Sequence, residues 1–258
     1  MRIARFTAAA GAAPSYGVVE GDGADAVIRR LDGSPFDGGR STGDPVPLSA
    51  VTLLAPVEPS KVVAFGRNYA AHAKELGNDV PEIPIVFLKP STAVVGPDSE
   101  VLYPDLTSDL HYEGELAVVI GRRCKAVPVE DVADVVFGYT VANDLTMRDI
   151  QKSEGQWTRG KGFDGSCPLG PWVETELDPS ALSLRSSVNG ELRQDGTTAD
   201  MLRDVAACVS WVSQAMTLLP GDVVLTGTPA GVGSLQRGDA VEVTIQGIGT
   251  LRTRIVAS

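Results

Sequence analysis

Two glutamates lie two residues apart in Tyr112-Glu113-Gly114-Glu115, directly before the apolar run Leu116-Ala-Val-Val-Ile120. Successive side chains of an extended strand alternate, so Glu113 and Glu115 point to one face. Paired carboxylates repel unless a positive charge lies between them. On their own, the two read either as surface acids at a strand start or as half of a divalent-cation site. A third acid favours the second reading. Asp144 follows the apolar run Val135 to Ala142 and Asn143, and if the two strands are neighbours it faces the glutamate pair. Three carboxylates with no sulfur ligand select a hard cation, Mg²⁺ or Mn²⁺. They leave about three of six octahedral positions for water or substrate, which suits Lewis-acid chemistry. His111, two residues before Glu113, can point the same way; it is read as supporting the site or the fold rather than as a ligand.

The other histidine, His72, stands three residues before Glu75 in the Ala-rich stretch Asn68 to Leu76, which Gly77-Asn78 stops. Residues i and i+3 share a helix face, and a carboxylate beside an imidazole makes a general-base arrangement. The alternative is a solvated histidine on a polar helix. The segment from Arg67 to about Val80 is a candidate lid. Arg148, Gln151 and Lys152 follow Asp144, and Lys161 stands between Gly160 and Gly162. A lysine flanked by glycines suits close approach to a ligand, and equally an ordinary turn. Leu225 to Gly233 is glycine-rich but lacks the Gly-Lys-Ser/Thr of a phosphate loop. Its backbone N–H groups can bind a carboxylate.

These residues need strands to hold them. Compact β runs are expected at Lys61 to Gly66, Ile85 to Leu88, Glu115 to Gly121 and Val135 to Ala142. Val188-Asn-Gly-Glu signals a hairpin, and Met201 to Leu218 has the apolar spacing of one long amphipathic helix. Strand runs at Asp222 to Thr226, Ala240 to Ile245 and Thr250 to Val256 close the chain. Strands outnumber helices without βαβ alternation, which predicts an α+β, mainly β fold. Residues 1–57 read as a small N-terminal β module, joined through Ala55-Pro-Val-Glu-Pro-Ser60 to a catalytic domain at 58–258.

The chain of 258 residues carries 22 Lys+Arg against 33 Asp+Glu, a formal charge of −11. So acidic a surface has no footprint for nucleic acid or an anionic membrane. Hydrophobic residues at 43% supply a core. No stretch approaches the roughly 20 apolar residues of a spanning helix. Cys124, Cys167 and Cys208 are odd in number and widely spaced, so reduced core thiols and a cytoplasmic location are expected.

In order and spacing, six segments resemble the fumarylacetoacetate hydrolase family. They are Gly66 to Glu75 (GRNYAAHAKE), Phe87-Leu-Lys-Pro90, Tyr112 to Gly121, Asn143 to Gln151, Gly160-Lys-Gly-Phe-Asp164 and Leu219 to Gly233. The chain is most similar to the acylpyruvase-type and hydroxymuconate-isomerase-type branch. The resemblance implies a rolled β-sheet, a homodimer and Mg²⁺ or Mn²⁺ held by Glu113, Glu115 and Asp144. It implies catalytic roles for His72, Glu75 and Lys161. Substrate contacts are implied for Arg148, Gln151 and Thr228, with Arg67 and Lys89 also expected around the cleft. Family substrates are small anionic 2-oxo acids or their enols, so a metal-stabilised enolate is the expected intermediate. The pairing of His72 with Glu75 favours C–C bond hydrolysis of a fumarylacetoacetate- or acylpyruvate-type substrate. The alternatives are a 2-hydroxyhepta-2,4-diene-1,7-dioate or 5-carboxymethyl-2-hydroxymuconate delta-isomerase, an oxaloacetate decarboxylase or a tautomerase, or a fold in which the ion is purely structural.

Overall fold

A computed structural model describes residues 1–9 and 11–257. The opening section supplies β1 (Arg2–Thr7), β2 (Ser15–Glu20), β3 (Val27–Arg30), β4 (Val46–Pro47) and β5 (Thr52–Leu54). Past the Pro-rich join come β6 (Val62–Gly66), α1 (Ala70–Glu75), β7 (Ile85–Lys89), β8 (Val94–Val95) and β9 (Ser99–Leu102). The acid-bearing stretch forms β10 (Leu110–Tyr112), β11 (Gly114–Ile120), β12 (Val136–Asn143) and β13 (Thr146–Met147), then α2 (Arg148–Ser153), α3 (Thr158–Lys161) and β14 (Cys167–Glu174). The remainder contains β15 (Ser183–Val188), β16 (Glu191–Thr197), α4 (Val205–Ala215), β17 (Val223–Leu225), β18 (Gly233–Ser234), β19 (Ala240–Ile245) and β20 (Gly249–Val256).

The architecture is α+β and mainly β. One sheet of twelve strands runs β4-β3-β2-β1-β14-β12-β11-β17-β6-β7, with β5 on β1 and β8 on β14. A five-stranded sheet, β16-β15-β19-β20-β9, and a three-stranded one, β13-β10-β18, complete it. Every residue of β11 is buried. Leu116, Val118 and Ile120 join one core with Leu184 and Val243 of the five-stranded sheet. Ala117 and Val119 join another with Val62, Leu169 and Leu225. A strand covered on both faces must be apolar throughout, which explains the unbroken run after Glu115. Gly114 is glycine for packing: a Cβ there would lie 2.8 Å from Val243 Cγ1.

Three elements differ from their sequence signals. The opening section continues the main sheet, because β1 pairs antiparallel with β14, Arg2 opposite Glu174. The long helix starts at Val205, not Met201. Met201 bridges to Tyr69, and Asn68 takes the N–H groups of Leu202 and Arg203 at 2.8 and 3.0 Å. Asp204 then caps the helix through Ala207 N–H, 2.8 Å. Finally, Cys167 to Glu174 is a central strand despite Pro168, Gly170 and Pro171. Asn189 and Gly190 adopt left-handed backbone (φ 52° and 82°) in the β15–β16 turn, as the Asn-Gly signal requires. All three cysteines are free and buried, and among the described residues no helix is long and apolar enough to cross a membrane.

Candidate active site

β11 and β12 pair antiparallel with Gly114 opposite Asn143. That register sets Glu113 beside Asp144, whose N–H donates to the Glu113 carbonyl at 2.8 Å. The Asn143 side chain accepts from Glu113 N–H at 3.0 Å. Glu113, Glu115 and Asp144 thus converge: one oxygen from each lies within 4.8 Å of the others, and all three residues are buried.

Buried carboxylates require compensation. Lys161 Nζ lies 2.6 Å from both Glu113 Oε2 and Asp144 Oδ2. Arg148 donates to Glu113 Oε1 and, at 2.6 Å, to Gln151 Oε1. Lys89 Nζ lies 2.7 Å from Asp144 Oδ1 and donates to the Ser166 carbonyl at 2.9 Å. Glu115 Oε2 accepts from Gly227 N–H at 2.7 Å, so the glycine-rich loop does bind a carboxylate, one of the protein's own. Burial alone would raise the Glu113 carboxyl, but Lys161 and Arg148 hold it well below the usual range. For Lys161, burial works downward, and Asp144 and Glu113 outweigh it and raise the ammonium. Glu115 goes the other way: burial first, then Asp144 and Glu113, push it well above the carboxylate range.

These residues fit a divalent cation. Buried Asp144 Oδ1 has no hydrogen bond, because the Lys89 contact is poorly directed for one. The donors are three carboxylates, the chemistry a hard cation takes, and Glu115 makes no ion pair among the described residues, accepting from Gly227 N–H instead.

Glu113 and Glu115 lie at a cavity of about 380 Å³, whose walls include His72, Arg148, Lys161 and Thr228. Arg67 and Gln151 line it as well. Arg67 makes no ion pair among the described residues and adopts a left-handed φ of 57°, a conformation that non-glycine residues hold at a cost. Thr228 Oγ1 donates to the Gly114 carbonyl (2.8 Å) and accepts from Gln194 Nε2 (2.7 Å). Helix α1 buries only His72 and Ala73, which disposes of the solvated-histidine alternative. Burial, opposed by Glu113 and reinforced by Arg148 and Lys161, lowers the His72 pKa, so the imidazole is neutral at pH 7.

Two residues expected at the cleft are engaged by other groups of the protein. Lys89 lies behind Asp144, 1% exposed, its ammonium committed to protein oxygens. Glu75 stands beside His72, its Oε2 3.6 Å from Nδ1 and within ion-pair reach, but makes no hydrogen bond to it; its oxygens accept from Gly231 N–H at 3.0 and 3.2 Å. His111 pairs with Asp109 (3.0 Å) and approaches Ser234, apart from the three-carboxylate group. Asn68 is a supporting residue that spacing does not reveal. Its amide donates to the Arg203 and Thr226 carbonyls, both at 2.8 Å, tying α1 to the loop that holds Glu115. Its partners are more than 130 residues away in sequence, beyond any local signal.

A family model described as fumarylacetoacetate (FAA) hydrolase C-terminal matches residues 61–256, and one described as Rv2993c-like, N-terminal, matches residues 1–56. The chain is 48% identical over 260 residues to protein Rv2993c of Mycobacterium tuberculosis, covering 99% of this chain and 98% of that protein. It is 47% identical over 204 residues to oxaloacetate tautomerase YcgM of Escherichia coli, covering 76% and 93%. A crystal structure of 5-carboxymethyl-2-hydroxymuconate delta-isomerase from Mycobacterium smegmatis matches with TM-score 0.93 at 48% identity, each chain covered completely.

Proposed function

The chain belongs to the fumarylacetoacetate hydrolase family, and we propose that it is a tautomerase, moving a proton between the keto and enol forms of a short 2-oxo dicarboxylic acid such as oxaloacetate. The observation that carries this reading is the absence of a hydrogen bond between His72 and Glu75, which stand 3.6 Å apart. Hydrolysis needs a base that activates water, and a carboxylate hydrogen-bonded to the imidazole would supply that strength. Here Glu75 is engaged by Gly231 N–H and His72 Nδ1 has no hydrogen bond. A neutral, buried imidazole beside the cavity suffices for proton transfer at C3, next to the carbonyl. The named activities of two relatives, an oxaloacetate tautomerase and a hydroxymuconate isomerase, are also proton transfers that leave the carbon skeleton intact. Tautomerisation therefore replaces the hydrolysis favoured by sequence alone.

Glu113, Glu115 and Asp144 would hold the cation, Mg²⁺ or Mn²⁺. When bound, it supplies a fixed positive charge that lowers the energy of the enolate oxygen. Lys161 and Arg148 fix the orientation of Glu113 and Asp144 through the contacts above. Arg148 also orients Gln151 toward the substrate side. The unpaired guanidinium of Arg67 receives the second carboxylate, a bidentate partner for a planar anion. Thr228, anchored on Gly114 and Gln194, borders the substrate in the same cavity as Lys161. His72 takes the C3 proton and returns it.

With Mg²⁺ and oxaloacetate, His72→Asn is expected to lose about 100-fold or more in kcat while keeping the wild-type melting temperature. An undiminished kcat in folded His72→Asn removes the imidazole from the mechanism.

A further inference from the structure

Trp157 is a large aromatic residue with no part in the chemistry so far, yet it lines the same cavity as His72, Glu113 and Lys161. Its ring is seated by neighbours. Phe87 meets it edge-on, centroids 5.5 Å apart at 64°. Gly66 lies under it: a Cβ there would stand 2.5 Å from Trp157 Cζ3 and 2.9 Å from Cη2. Gly66 is not among the residues with positive φ, so its backbone does not demand glycine; the indole does. The seat also communicates with the charged end of the site. Lys161 Nζ lies 5.1 Å from the Phe87 centroid, and Lys161 N–H donates to the Trp157 carbonyl at 2.9 Å.

Resting on the tautomerase reading above, we propose that Trp157 determines substrate length: its indole is the wall that confines the cavity to short 2-oxo diacids. With the head of a 2-oxo acid held at the carboxylate end, added methylenes take up the rest of the cavity, whose wall includes Trp157. A ring wedged between Gly66 and Phe87 cannot withdraw without lifting off both. Rejection of a longer chain by a rigid wall is a steric effect, and each methylene changes discrimination about tenfold or more.

The test reads binding, not turnover. The Mg²⁺-loaded full-length protein is titrated calorimetrically with oxalate, which presents only the head, and with 2-oxoadipate, a longer diacid. In Trp157→Ala the affinity ratio of 2-oxoadipate to oxalate is expected to rise about tenfold or more. Trp157→Phe, a smaller ring in the same seat, is expected to fall between Trp157→Ala and wild type. A ratio unchanged in either variant, with the wild-type melting temperature retained, overturns the wall. Should Trp157→Ala fail to fold, Trp157→Phe alone decides. A shifted ratio in an enzyme that does not tautomerise oxaloacetate would leave the wall standing and remove the reaction assigned above; failure of the wild-type protein to bind either acid would remove both.

Discussion

At the scale of single residues, the site is a contest between like charges. Glu113 and Asp144 are neutralised by Lys161, Arg148 and Lys89, whereas Glu115 has only a backbone N–H and its pKa is driven up. Added Mg²⁺ or Mn²⁺ should therefore raise the melting temperature by mass action, and Glu115→Gln or Asp144→Asn should abolish the rise. An equal rise in the variants would place the ion elsewhere. His72 gives the pH dependence. Its folded pKa lies below the usual 6.5, so as pH falls through that window the unfolded chain binds the extra proton and stability is lost toward acid. Urea midpoints at pH 5, 6 and 7.5 should fall with pH, and less steeply in His72→Asn; parallel slopes would contradict the assignment. Glu113, Glu115 and Asp144 were legible because strand alternation and adjacency to apolar runs are local properties. The engagement of Glu75 was not, because its partner, Gly231, lies on a distant loop.

At the scale of elements, register does the positioning. Pairing Gly114 with Asn143 brings together acids that the sequence separates by about thirty residues, and a one-residue slip would turn Glu115 to the opposite face. The apolar runs of β11 and β12 were readable; β14 was not, since its prolines and glycines imitate a loop and only its neighbours make it a strand. The helix start at Val205 was misread for a related reason: Asn68 removes Leu202 and Arg203 from any helix. Asn68→Ala would leave the buried Thr226 carbonyl and the part-buried Arg203 N–H without their partners, and the Arg203 carbonyl with only the Cys208 thiol. The expected loss is about 3 kcal/mol, measured by chemical denaturation. A loss below about 1 kcal/mol would mean that these elements are held by something else.

For the whole molecule, the charge of −11 belongs mostly to the exterior, since buried Glu113 and Asp144 are paired with Lys161, Arg148 and Lys89. The opening section does more than decorate the fold. Ala4, Phe6, Val19 and Ile28 form their own core, with Trp172 of β14 packed against it, and β1 occupies the β14 edge. Deleting residues 1–57 should lower the melting temperature and produce larger assemblies through the bared edge, seen by light scattering; an unchanged size distribution would contradict this. That β1 joins the main sheet could not be read from its sequence, because strand pairing at such separation leaves no local pattern. The central claim, proton transfer without bond cleavage, is tested most directly by following oxaloacetate and an acylpyruvate by NMR in deuterated buffer with Mg²⁺ and the wild-type enzyme. The prediction is rapid deuterium entry at C3 of oxaloacetate, lost in His72→Asn, with the acylpyruvate carbon skeleton left intact. Efficient cleavage of the acylpyruvate, with no enzyme-dependent exchange at C3 of oxaloacetate, would contradict it.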